Sequence, residues 1–117
     1  MKKVPVCYAS HTDLTNIDIP NNITGVCHHA CAYMHKLENI YLPNSIEKMG
    51  RYSFINCSAA KSLKIEKDAP LESIYEACFS DCYCLETIEL SDHIKILEDR
   101  SFSNCTSFTN IKLPDSL

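Results

Sequence analysis

The residues best suited to chemistry lie in one short tract, Cys27-His28-His29-Ala30-Cys31, with His35 close behind. Thiolate sulfur and imidazole nitrogen are zinc ligands, so the tract holds enough donors for one tetrahedral site. The same groups would suit a redox-responsive thiol, or a Cys-His nucleophile if a third group oriented the base. The spacing argues against the zinc site, and a short solenoid offers little of the cleft that a Cys-His nucleophile needs. Three residues separate the two cysteines, and no second Cys-x-x-Cys knuckle completes a zinc module. Metal binding by Cys27, His28, His29, Cys31 and His35 is the minor reading. A core cysteine flanked by surface histidines is the main one.

The remaining cysteines look structural. Cys57, Cys82 and Cys105 recur in one column, each preceded by Asn or Asp (Asn56, Asp81, Asn104). An unpaired cysteine behaves as a small buried hydrophobe, and an Asx side chain before it suits a tight turn. Cys78 and Cys84 read as part-buried thiols. Reduced thiols are expected over disulfides between neighbouring units, which favours the cytoplasm; a secreted or cell-surface location is the alternative if an export signal has been removed. No glycine-rich phosphate loop, nucleophile elbow or His-Glu-x-x-His motif occurs, so the sequence predicts no enzyme and no cofactor. A net charge of −4 and only two arginines, Arg51 and Arg100, argue against direct nucleic-acid binding. No run approaches the ~20 apolar residues that span a bilayer, so no membrane insertion is expected.

The elements that would position these residues come from internal repetition. In Leu37–Cys57 the apolar positions Leu37, Ile40, Leu42, Ile46, Met49, Phe54 and Cys57 fit neither a helical nor a strand period. The same irregular pattern returns with a period of 23 residues. Repeats start near Leu14, Leu37, Ala60, Leu85 and Phe108, the last stopping part-way. Two extra residues fall within Glu66–Pro70, and residues 1–13 read as a partial leading repeat with Tyr8 at the place of Phe54. Asn39–Leu42 and its equivalents alternate and are β-branched, as short strands are. Phe-x-x-Cys has the spacing of a helical or 3-10 turn. One such coil cannot bury its own apolar side, whereas stacked coils can. The chain is therefore predicted to be a single domain over 1–117, a mostly β, α/β-type right-handed solenoid of about five coils with one or two parallel sheets. With only Gly25 and Gly50 present, sharp hairpin turns at positive φ should be scarce.

The pattern LxxIxLPxSIxxMGxxSFxxC in Leu37–Cys57 resembles the leucine-rich repeat of the BspA-like, or Treponema pallidum-type, family. The resemblance implies a leucine-rich-repeat coil and a non-enzymatic binding or adhesion scaffold of bacteria and some protists. Here Ala60 stands for the leading leucine, Cys31 for the phenylalanine and Met34 for the column cysteine.

With chemistry set aside, the surface is left. Strand alternation places Asn16, Asn39, Ser62, Thr87 and Asn110 in one outward column, and Asp18, Tyr41, Lys64, Glu89 and Lys112 in a second. Glu89 then lies between Lys64 and Lys112, an arrangement that cross-strand pairing favours. These ten residues are the candidate partner-binding face, with Tyr41 as its aromatic anchor. The strand near Phe108–Leu113 has no following coil and presents an open edge, which suits self-pairing or a partner protein. The expected function is protein–protein recognition. A free-standing inhibitor of a larger enzyme, for instance one that handles nucleic acid, is the alternative, and a zinc- or redox-responsive Cys/His protein is the rival from another class.

Overall fold

A computed structural model describes residues 2–4 and 13–117, with the side chains of residues 2–4, Asp18 and Asn110 left aside. Tyr8 and most of the leading partial repeat lie outside the described residues. The strands are β1 (Lys2–Val4), β2 (Asn16–Asp18), β3 (Ile23–Val26), β4 (Asn39–Leu42) and β5 (Lys48–Met49). They continue as β6 (Ser62–Ile65), β7 (Ser73–Ile74), β8 (Thr87–Glu89), β9 (Ile96–Leu97) and β10 (Asn110–Lys112). The first strand of each coil joins a five-stranded parallel sheet in the order β10-β8-β6-β4-β2. The second strands form a narrower strip in two pieces, β1-β3-β5 and β7-β9.

The coil motif has a stated job at each position. Inward residues of the main sheet, among them Ile40, Leu42, Leu63 and Ile65, are buried in a single core with the second-strip residues Met49 and Ile74. Proline ends the strand, since it cannot extend a ladder, and opens a turn closed by bonds such as Ile46 N–H to Pro43 O at 3.3 Å. The serine two residues later reaches back one coil: Ser45 Oγ donates to Ile23 O, and Ser116 Oγ to Ile94 O, each at 2.6 Å. Ser91 takes the proline place in the fourth coil, and its hydroxyl is buried without a protein partner.

The segment carrying Phe-x-x-Cys is a run of turns, and no helix occurs among the described residues. Its bonds alternate. Ala30 and Ala32 N–H close local i→i+3 turns, while His29, Cys31 and Tyr33 N–H donate to Arg51, Ser53 and Ile55 of the next coil. A helix would turn every N–H inward along its own axis, so stacking the coils forbids one. The alternation also requires left-handed backbone. His29, Tyr33, Tyr52, Asn56, Ala77, Asp81, Arg100 and Asn104 all have φ between 53° and 62°, and neither glycine does. These left-handed residues lie in the turn runs and not in hairpins, and inter-coil hydrogen bonds, not glycines, set their geometry.

In the second of these columns, Asn56, Asp81 and Asn104 are residue types that tolerate the left-handed region. Tyr33 is not, and its side chain is half exposed, so little packing depends on it. Tyr33→Asn is expected to raise stability by about 1 kcal/mol, read as a higher urea midpoint with unchanged slope.

Phe54, Phe79 and Phe102 stack face to face, with successive centroids 5.4 Å apart and planes at 11°, and Phe108 closes the ladder edge-on at 6.2 Å. Leu97 breaks the core pattern. It stands at the place of the buried Met49, yet it and Ile96 are exposed, since β9 is the edge of its strip among the described residues.

Candidate binding face

The two outward columns fall on the main sheet as the sequence predicts. Asn16, Asn39, Ser62, Thr87 and Asn110 are consecutive partners across the five strands. So are Asp18, Tyr41, Lys64, Glu89 and Lys112. The first column is wired together at its N-terminal end: Asn39 Nδ2 donates to Asn16 Oδ1 at 3.1 Å, and Ser62 Oγ donates to Asn39 Oδ1 at 2.6 Å. Such a ladder holds the Asn39 amide and its neighbours in set orientations.

In the second column Lys64 Nζ lies 3.9 Å from Glu89 and 3.7 Å from Glu66, with both partners well hydrated. Exposed pairs of this kind contribute little to stability, so their value is in patterning the face. Lys64, Glu89 and Lys112 together line two shallow depressions of about 380 and 390 Å³. Tyr41 stands one strand away and is exposed. Glu66, the first residue after β6, was missed in sequence because it takes the place that proline holds in the second coil, one position beyond the strand.

The Cys/His tract is dispersed by the coil. Cys31 is buried in the core, while His28 and His29 are exposed. His28 Nδ1 accepts from Arg51 N–H at 2.9 Å, His29 stacks on Tyr52 at 5.0 Å, and His35 Nδ1 meets Ser58 Oγ at 3.1 Å. Each histidine thus ties its coil to the next. Among the described residues no three His, Cys, Asp or Glu side chains converge as metal ligands.

The cysteine column has its own geometry. The thiols of Cys57, Cys82 and Cys105 donate to the carbonyls of Cys31, Phe54 and Phe79, each the aromatic-column position one coil earlier, at 3.2, 3.4 and 3.2 Å. That bond is the physical content of the Phe-x-x-Cys spacing. The described cysteines carry no disulfide. Cys78, expected to be part-buried, is wholly buried and meets Ser53 Oγ at 2.9 Å; Cys84, expected to be part-buried too, is exposed.

Burial pushes the Cys57 and Cys78 thiols up from 9.0 to about 12. Cys82 is also raised, first by its hydrogen bond with Cys105 and then by burial. The folded state therefore keeps protons that the unfolded chain releases above about pH 9. Fewer protons on the unfolded chain means that stability falls as pH rises, here between about 9 and about 12. Each thiol is expected to contribute a loss of about 1.4 kcal/mol per pH unit in that window. Urea midpoints taken upward from around pH 8 check this, with Cys78→Ala flattening the slope by one thiol's share.

A repeated coil of this kind has close counterparts. The chain superposes on a leucine-rich cell surface protein from Faecalibacterium prausnitzii with a TM-score of 0.74 at 22% identity, over 86% of this chain and 32% of that one. A leucine-rich repeat protein from Bacteroides ovatus gives 0.67 at 20% identity, over 86% and 31%. The chain thus spans about a third of the length of these two proteins. No curated protein matches it. A model of the BspA type leucine rich repeat region matches residues 5–117 in six copies. With that match over nearly its whole length, and with every coil built on the same ladder, the chain belongs to the BspA-type leucine-rich-repeat family.

Proposed function

We propose that the chain is a non-catalytic protein-recognition scaffold that binds through the outward face of its five-stranded sheet. One observation carries this reading: the face holds two unbroken columns of polar residues in parallel register, with exposed Tyr41 beside the Lys64–Glu89–Lys112 group. A tyrosine supplies large contact area at small entropic cost, and the charges around it give register rather than raw affinity. The cell surface is the favoured location, by analogy with the similar Faecalibacterium prausnitzii protein. The cytoplasm, suggested by free thiols alone, has no comparable support. The inhibitor reading gains no observation, and neither does the Cys/His reading, in which His28, His29 and His35 are each engaged in a contact between coils.

The test is binding to a panel of purified secreted and cell-surface proteins. Tyr41→Ala is expected to weaken capture by roughly tenfold or more, as hot-spot tyrosines do. Lys95→Ala, on the second strip, is expected to leave it unchanged. Capture that ignores Tyr41 and Lys64 but depends on Lys95 would move the site off this face.

A further inference from the structure

The cysteine column brings two thiols together that neither the core nor the outward face requires to meet. Cys82 and Cys105 hold the same position in consecutive coils, 23 residues apart. The residues just before them are tied across the joint. Asp81 N–H donates to Ser103 O at 2.8 Å, and Asn104 Nδ2 donates to Asp81 Oδ1 at 2.7 Å. The Cys105 thiol leans back into the coil of Cys82, where it reaches Phe79 O at 3.2 Å. There the two thiols also hydrogen-bond each other.

The pair is suited to bond formation of a reversible kind. Stacked strands stand about 4.8 Å apart, inside the range of Cα separations that a disulfide spans. Phe79 and Phe102, beside the column, keep their rings 5.4 Å apart, whereas the Cβ atoms of a disulfide close to about 3.8 Å. The bond must therefore draw two coils together locally. A disulfide under such strain is easily reduced, as labile and regulatory ones are. The hydrogen bond with Cys82 also lowers the Cys105 thiol from its ordinary value, while burial pushes Cys57 up to about 12. The thiolate, which is the reactive form, is thus favoured at Cys105 over Cys57.

We propose that Cys82 and Cys105 form a reversible redox clasp, closed by a low-molecular-weight disulfide of the glutathione or cystine type. The Cys105 thiolate attacks the small disulfide, breaking its S–S bond, forming a mixed disulfide and releasing one small thiolate. The Cys82 thiol then gives up its proton and attacks Cys105 Sγ. The bond from Cys82 to Cys105 forms, and the second small thiolate leaves. The two protons of the protein thiols pass to the released thiolates, so the cysteine pair is oxidised and the small disulfide reduced to two thiols. The closed clasp joins the third coil to the fourth by a covalent bond. It uses no residue of the outward face, so it stands or falls apart from the binding proposal.

Peptide mapping tests it. Folded Cys84→Ser protein, which lacks the exposed thiol, is treated with oxidised glutathione, alkylated and digested without reductant. Tandem mass spectrometry is expected to find Cys82 joined to Cys105, with Cys57 alkylated. Cys82→Ala is expected to stop at the mixed disulfide on Cys105, and Cys57→Ala to close the clasp as before. Circular dichroism of each variant confirms that it is folded. Excess reduced glutathione is expected to reopen the bond without denaturant. Cys82 and Cys105 left as thiols, either one joined to another cysteine, a bond that forms only in urea, or one that reduced glutathione cannot open would overturn the proposal.

Discussion

Gly50→Ala is expected to destabilise the fold by about 3 kcal/mol, the upper part of the range for forced overpacking. Gly50 follows β5 and faces the backbone of the preceding coil at Cys27–His28. An added Cβ would sit 2.5 Å from the Cys27 carbonyl carbon and 2.6 Å from His28 Cα, and would also strike His28 N. None of these atoms is the end of a flexible side chain, so relief requires the coils to part. That in turn strains Gly50 N–H to Val26 O, a bond of 2.6 Å, and Arg51 N–H to His28 Nδ1. The glycine is needed for close approach, not for left-handed backbone, since its φ is not positive. Thermal melting should fall by roughly 10 °C. A change of less than a third of that would mean that the coils are not in contact here.

The second large effect belongs to the aromatic ladder. Phe79 is wholly buried between Phe54 and Phe102, stacked on both at 5.4 Å. Phe79→Ala is expected to cost about 4 kcal/mol, combining lost transfer energy with a cavity that the stacked coils cannot collapse to fill. Phe79→Leu keeps most of the volume and should cost about 1.5 kcal/mol. Chemical denaturation of both variants checks the order. Near-equal losses would show that ring stacking, not volume, dominates. Phe102 is only partly buried, so its alanine variant should cost less than that of Phe79.

The inward half of the coil was legible because each coil repeats the same demand. Ile40, Leu63 and Ile88 solve one packing problem in neighbouring strands, so their chemistry recurs and the period appears. The strand register followed, and with it the two outward columns. The left-handed column of His29, Tyr52, Ala77 and Arg100 was invisible for the opposite reason. Its demand is on backbone shape, and four unrelated side chains satisfy it. Gly50 was unreadable because its column partners, Cys27 and Tyr75, give no recurring signal. The candidate face was legible as a place but not as a specificity: outward residues change from coil to coil, and packing places no constraint on what they are.

The third coil carries a consequence of its two extra residues. Ser62 pairs with Thr87 and Asn39 with Ser62, so the main sheet runs through without a break. Tyr52, Phe54 and Asn56 also bond across to Glu76, Cys78 and Ser80. Only the strip between Met49 and Ser73 lacks its ladder, leaving a cleft of about 360 Å³ lined by Lys48, Pro70 and Tyr75. In a stack of repeats, cooperativity is passed from neighbour to neighbour. This junction passes less than the others through the strip, so the strip is expected to open locally here while the unbroken main sheet keeps the coils together. Amide exchange would see that boundary as a step in protection, with Ser73 and Ile74 opening before the strands on either side of them.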